Sequence, residues 1–381
     1  MFKILRFLWA AYVSLNESGQ IPSSVTDNYD ALLSSTLRNY QPKLKDNITR
    51  GNKFIAWLDS KGRTRKIGGG HQIAEPLMHT QNNTADIYRG YGLLDTTPQD
   101  GITTAFYDWA QLSVSITISR LEERQNSGKA KILDLLQAKT MQSEVSLKEM
   151  LNNCLVAGKI TAGSAQERVV ARTGRMDSGA SGPLPIGAII DVTVARSVAL
   201  GNINGGTYSF WRNQATASTA STFVGYKNEM NQIYNNCGKG TGGFPDLALG
   251  TQIAWETYWL SLTTQERYII NDKKTVDILG GSDALAFRGT AFIWDEVCPD
   301  PDTSFNPVDA IGTNSNATIY FINSEAISFV TDSETDFITT DFVRPENQDA
   351  KVAQVLWMGA VTCNNRRKLG VLSSISQTIV A

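Results

Sequence analysis

Gly69-Gly70-His71-Gln72-Ile73-Ala74-Glu75-Pro76-Leu77 leads outward, Leu94-Asp95-Thr96-Thr97-Pro98-Gln99-Asp100-Gly101-Ile102-Thr103-Thr104-Ala105 leads back, and Gln111 to Ser119 completes the return. Residues 68–122 therefore read as a long two-stranded arm. Leu112, Val114, Ile116 and Ile118 alternate with Gln111, Ser113, Ser115, Thr117 and Ser119. That period of two predicts a strand with one buried face. A lone hairpin has too little core to be stable in water, so the arm needs a surface on another molecule. Its tip, Gln81 to Gly92, is polar but carries Ile87, Tyr88 and Tyr91. With Leu94, these side chains are the expected inter-subunit contacts.

One long helix follows, from about Lys129 to Val156. Asn126 or Ser127 can cap its first amides and Gly158 can end it. Ile132, Leu133, Leu136, Leu147, Leu151, Cys154 and Leu155 recur at three- and four-residue spacing, and the span is roughly 40 Å at 1.5 Å per residue. Upstream, residues 16 to 50 are polar, with Tyr29, Leu32, Leu33 and Leu37 at helical spacing. Phe54 to Leu58 reads as a strand, Asp59-Ser60-Lys61-Gly62 as a turn, and Arg63 to Ile67 as the returning strand.

Downstream, residues 159 to 186 form a polar loop with Arg168, Arg172 and Arg175, closed by Pro183-Leu184-Pro185. Ile189 to about Thr340 is an irregular α+β lobe. Helices are expected near Tyr226 to Tyr234 and Thr251 to Leu262, and strands at Ala291 to Trp294 and Thr318 to Ile322. Lys351 to Cys363 is an apolar strand bearing Trp357. Arg366-Arg367-Lys368 then precede a Ser-rich tail.

The 381 residues suffice for two or three packed lobes. Hydrophobic residues at 41% and charged residues at 19% fit a folded protein, and a net charge of −2 argues against a dedicated nucleic-acid binder. It leaves room for a neutral wall beside nucleic acid. Lys61, Arg63, Arg65 and Lys66 form the densest basic cluster. Together with Arg366, Arg367 and Lys368 they are the candidates for a charged interface or a DNA-facing surface; the alternative for the first cluster is a solvated hairpin. The four cysteines, at 154, 237, 298 and 363, show no CxxC spacing and read as buried free thiols. Met1 to Val13 faintly resembles a signal peptide but lacks a convincing cleavage site. It is read as an apolar arm, and no segment approaches a transmembrane length.

No catalytic set emerges. The two histidines, His71 and His79, share one side of a strand with only Glu75 between them as a further acid, which is too few ligands for a metal. Gly238 to Gly243 contains GxGxxG, but a helix precedes it and Phe244-Pro245 follows, the reverse of a dinucleotide-binding context. Asp295 and Glu296 are adjacent and would face opposite ways in a strand. Asp332, Glu334, Asp336 and Asp341 read as a solvated face or as partners for basic groups. Trp255, Tyr258 and Trp259 lie at helical spacing and read as core. No cofactor, metal or enzymatic activity is expected.

The phrases GGHQIAEPL (69–77), LDTTPQDGITTA (94–105), the Lys/Glu-rich helix of 126–155 and NGGTYSFWR (204–212) occur in the order arm, hairpin, helix, lobe and return strand. That order resembles the major capsid proteins of tailed double-stranded DNA bacteriophages, which have the Hong Kong 97-type α+β fold. The resemblance implies an N-terminal arm (1–53), a peripheral-domain hairpin (54–67), an extended loop lying over a neighbour (68–122), and a peripheral domain with its spine helix (123–188). It further implies an axial domain (189–340) and a peripheral return strand with a C-terminal tail (341–381). Function would be structural: self-assembly as pentamers and hexamers into an icosahedral head in the host bacterial cytoplasm, with portal and scaffold proteins as partners, packaged DNA held non-specifically, and no membrane. The family's founding member crosslinks through a lysine on the extended loop. No lysine lies between Lys66 and Lys129 here, so the clasp is expected to hold without a covalent link. Encapsulins, compartment shells of the same fold, are the alternative. A hydrolase would need a convergent catalytic set, and a secreted adhesin a working signal peptide.

Overall fold

The computed structural model describes residues 53–125, 135–157, 159–161, 167–169, 183–192, 199–240, 243–262, 285–295, 297–298, 316–376 and 379. The expected helices within 16–50, the apolar segment 1–13, the cap at Asn126 or Ser127, the helix start at Lys129, its stop at Gly158, and Arg172 and Arg175 lie outside those residues. The contact pattern divides the chain in two. In the first unit the described residues are 119–125 and 135–138. The second unit, Ile48–Ile118 with Lys139–Ala381, holds both large sheets.

Helix α1 (Lys53–Ser60) buries Phe54, Trp57 and Leu58, the i, i+3, i+4 stripe of a helix. This corrects the expected hairpin at 54–67. The five apolar residues in a row satisfy a strand pattern too, but only a helix puts 54, 57 and 58 on one face. Strand β1 (Thr64–Ile67) pairs in parallel with a strand more than 260 positions away, not with its predecessor.

The arm is built from β2 (Ile73–Met78) and β3 (Ile102–Tyr107), paired antiparallel from Ile73↔Tyr107 to Met78↔Ile102. Strand β4 (Ala110–Ser119) has the predicted alternation, with Leu112, Ile116 and Ile118 buried. It is not the arm's second strand, however. It joins a five-stranded sheet, because its apolar face requires a core that a two-stranded ribbon lacks. Helix α2 (Arg120–Gln125) and helix α3 (Leu135–Asn152) follow, and α3 ends in a wider turn at Asn153–Ala157. Leu147, Leu151, Cys154 and Leu155 are buried along one stripe.

Short pairs come next: β5 (Lys159–Thr161) with β6 (Glu167–Val169), then helix α4 (Ile186–Ile189), then β7 (Ala199–Leu200) with β8 (Ile203–Asn204). The lobe contains β9 (Gln214–Ala217), α5 (Phe223–Cys237), β10 (Leu247–Gly250), α6 (Gln252–Leu262), β11 (Leu285–Phe287), β12 (Thr290–Trp294) and β13 (Asn316–Ile322). Beyond it lie β14 (Ile327–Asp332), β15 (Ile338–Thr339), β16 (Ala350–Cys363) and β17 (Gly370–Ser376). Both expected helices and all three expected late strands are present.

The five-stranded sheet runs β1-β14-β16-β15, with β4 also paired to β16. Trp357 stacks on Phe329 at 5.7 Å and lies over Gly359, where an added Cβ would sit 2.5 Å from the indole. The six-stranded sheet runs β11-β12-β10-β13-β17-β9. Tyr226, Met230, Ile233 and Cys237 of α5 pack on it in one cluster with Phe292, Phe321 and Leu372. The segment expected to be a Ser-rich tail is therefore β17, a strand between β13 and β9. Val371, Leu372 and Ile375 are fully buried in it, and Ser373 is buried with them.

Cys154, Cys237, Cys298 and Cys363 are free and buried. Burial pushes the thiols of Cys154, Cys237 and Cys363 up to about 12. Ellman's reagent at pH 8 is accordingly expected to find no reactive thiol in the folded subunit and all four after unfolding in guanidinium. One or more fast-reacting thiols in the native protein would contradict this packing.

Candidate assembly arm

The ribbon β2–β3 has two unlike faces. Ile73, Glu75, Leu77, Ala105 and Tyr107 point to the protein and are buried; Met78, Ile102 and Phe106 point away and are exposed. Glu75 is the one charge on the inner face. Arg65 of β1 forms a salt bridge with it, and Thr362 Oγ1 of β16 donates to its Oε1 at 2.9 Å. A carboxylate placed there holds β2 at a fixed register on the sheet, because a shift of one residue would point it outward.

Three more contacts pin the root. Tyr107 donates its hydroxyl to the Cys363 carbonyl at 2.7 Å, and its burial raises the phenol well above its ordinary value. The Phe106 amide donates to the Gly201 carbonyl at 3.1 Å. Gly201 has φ +62°, and a Cβ there would stand 2.8 Å from that of Ala105. The position thus calls for glycine on both counts. The Gly69 amide donates to Asp332 Oδ1 at 3.2 Å, and this bond, with others from the following turn, lowers the Asp332 carboxyl below its ordinary 3.8. A lowered folded-state pKa stabilises the fold above the unfolded value, and that stabilisation fades as pH falls through the folded value. Amide exchange at Gly69, compared with a distant helix such as α5, is therefore expected to accelerate selectively below about pH 4.

Just beyond Met78 the His79 amide donates to the Gly101 carbonyl at 2.9 Å and the Thr80 hydroxyl to that of Asp100 at 3.4 Å; past these, the described bonds of the arm are local. Asn82 accepts from Thr84, Asp95 accepts from Thr97, and the Gly92 amide donates to Arg89. Ile87 is 97%, Tyr91 107% and Leu93 101% exposed, and Tyr88 and Leu94 are more than half exposed. The four predicted contact residues thus share one bare tip, with Leu93 a member the sequence reading missed although it adjoins Leu94. Arg89 is the only lysine or arginine between Lys66 and Arg120. Trypsin is expected to cut the free subunit rapidly after Arg89 and to spare that bond in any assembly that covers the tip; equal cutting rates in both states would count against coverage.

The basic candidates separate. Lys61 faces Asp246 at 3.6 Å, Arg63 faces Glu325 at 3.7 Å, and Lys66 meets Asp336 at 2.6 Å, which raises the lysine. With Arg65 on Glu75, the 61–66 cluster is compensated within the chain. Arg366 and Lys368 are 5% and 3% exposed and so cannot face DNA, contrary to expectation. The Arg366 guanidinium donates to the Ile189 and Trp211 carbonyls and to Asn213 Oδ1. Lys368 Nζ donates to the carbonyls of Lys239, Gly240 and Gly243, and its burial lowers the ammonium. The described residues on both sides of positions 241–242 in the GxGxxG segment thus bond to a lysine. Arg367 alone of the three is exposed.

His79 packs on Phe210 at 5.2 Å, and among the described residues no group of three or more His, Cys, Asp or Glu could hold a metal. No helix among the described residues is long and apolar enough to cross a membrane.

No family model matches the sequence, and no curated protein does. Solved structures do match. A chain of the cyanophage A-1(L) capsid asymmetric unit superposes with TM-score 0.63 at 14% identity, over 89% of this chain and 97% of that one. This chain has the phage capsid fold. Also similar are the SrpI encapsulin of Synechococcus elongatus (TM-score 0.52, 12% identity, 92% and 97% covered) and the capsid of Myoviridae phage XM1 (0.51, 8%, 90% and 98%). The Hong Kong 97-type α+β architecture expected from the order of the sequence phrases is therefore the observed one.

Proposed function

We propose that this chain is a major capsid protein, a structural subunit whose copies join as pentamers and hexamers into an icosahedral head around double-stranded DNA. The observation that carries this reading is the arm, bonded to the sheet at its root and bare and aromatic at its tip, on a capsid fold. Such a tip suits burial on a neighbouring copy. Each contact can be modest, because closure of a shell multiplies the contacts. Portal and scaffold proteins are further partners under this proposal, and DNA is held loosely, since the basic residues at 61–66, 366 and 368 are occupied within the chain. The work is mechanical.

The encapsulin match supports a second reading, a compartment shell enclosing protein cargo. Expression of the full chain with and without a candidate scaffold, followed by negative-stain microscopy, tests both. Curved, closed shells are expected; monomers or uncurved aggregates under every condition would overturn both. Nuclease-protected DNA inside shells from infected cells supports the head, and protein cargo with no DNA supports the compartment.

A further inference from the structure

The bonds at the arm root close on themselves. Starting from the arm, the Phe106 amide reaches the Gly201 carbonyl at 3.1 Å. The preceding carbonyl, of Leu200, accepts from the Trp211 indole at 2.9 Å. The Trp211 carbonyl accepts from Arg366 at 3.2 Å. Three residues before Arg366, the Cys363 carbonyl accepts from Tyr107, the neighbour of Phe106, at 2.7 Å. Four hydrogen bonds and four short pieces of chain thus make a ring, and Trp211, Tyr107 and Arg366 are all buried. The ring joins the base of β3, the β7–β8 turn and the segment that carries β16 into β17. The Gln214 amide on Leu369 at 2.9 Å extends it into the first pairing of the six-stranded sheet, and Asn213 ties Arg366 to Asp191.

We propose that this ring is a brace that fixes the angle between the arm and the six-stranded lobe and transmits load from one to the other. The arm's own two strands cannot set that angle, because beyond His79, which packs on Phe210, no hydrogen bond or ion pair among the described residues ties the arm to the rest of the chain. The five-stranded sheet holds β2 through Glu75, while the ring's hydrogen bonds to Phe106 and Tyr107 tie β3 to the lobe. Tyr107 and Arg366 are the positioning residues, and neither has a role at the tip. Within a shell, a claim that rests on the capsid reading above, a slack brace would let arms settle at several angles and copies close at several curvatures.

The test uses Tyr107→Phe, which removes one hydroxyl and leaves the ring carbon packing in place, with Arg366→Lys as a second variant at the opposite side of the ring. Hydrogen–deuterium exchange is measured by mass spectrometry on the free, full-length subunit. In Tyr107→Phe, peptides spanning 102–107 and also 199–213 are expected to exchange roughly fivefold faster, the size of one lost hydrogen bond. Peptides of α5 should not change, which separates a loosened brace from general destabilisation. Arg366→Lys should reciprocally speed exchange at 102–107. Acceleration confined to the mutated side, or none, would overturn the brace. Shell diameters by cryo-electron microscopy supply the second readout: a broadened distribution is expected for Tyr107→Phe, and a distribution as narrow as the parent's would remove the curvature role. Should the parent chain build no shell at all, the capsid reading fails while the exchange result still decides the brace.

Discussion

A subunit lacking residues 80–92 is expected to fold with an unchanged melting temperature and to build no shells. The deleted segment gives the rest of the chain little: apart from the long bond from the Thr80 hydroxyl to the Asp100 carbonyl at 3.4 Å, its described hydrogen bonds stay within two or three residues, and Ile87 and Tyr91 are bare. The ribbon still closes, because residues 93–101 remain to connect β2 to β3, and shortening an open loop costs little. Assembly has much more to lose. Burying Ile87, Tyr88 and Tyr91 on a neighbour would contribute roughly 5 kcal/mol per arm, and its loss weakens each contact by more than about a thousandfold. Calorimetry reads the fold, and sedimentation with electron microscopy reads the assembly. Shells of normal yield from the deleted chain would remove the arm tip from the mechanism.

Arg366→Ala has the opposite profile: its damage falls on the fold. The change strands the carbonyls of Ile189 and Trp211 in a buried site and takes one of two donors from Asn213 Oδ1, which keeps the Asp191 amide. Removing one member of such a buried charged network costs roughly 3–5 kcal/mol. The expected fall in melting temperature is roughly 5 °C, measurable by calorimetry before any assembly. Arg366→Lys should recover only part of it, since an ammonium cannot serve three acceptors laid out for a planar fork. A shift below about 2 °C for the alanine variant would show that these bonds contribute little.

Much of the architecture was legible in local pattern. The alternation in 111–119 marked β4, the apolar run in 351–363 marked β16, and helical spacing marked α5 and α6. What escaped depended on distant partners. Phe54 to Leu58 fits either a strand or a helix when read alone, and the sheet it packs on lies far along the sequence. Lys61, Arg63 and Lys66 looked like a basic surface because Asp246, Glu325 and Asp336, which neutralise them, are at least 180 positions away. Arg366 and Lys368 looked surface-bound for the same reason: a buried cation is legible only with its carbonyls. In the arm, residue types showed which tip side chains would be bare, whereas the Glu75 latch and the Tyr107 bond needed the fold.

The position of β17 between β13 and β9 has a consequence for synthesis. On the ribosome, β9, β10, β12 and β13 emerge first, and the strand that joins β13 to β9 begins 48 positions after β13 ends. At cellular elongation rates of roughly 5–20 residues per second, the exposed edge of β13 waits for roughly three to ten seconds. During that time Ile319, Tyr320 and Phe321 have no β17 beside them, and the nascent lobe is vulnerable to pairing with the nascent lobe of the next ribosome on the same message. A chain cut short before Gly370 is therefore expected to keep the β13 edge open and to aggregate.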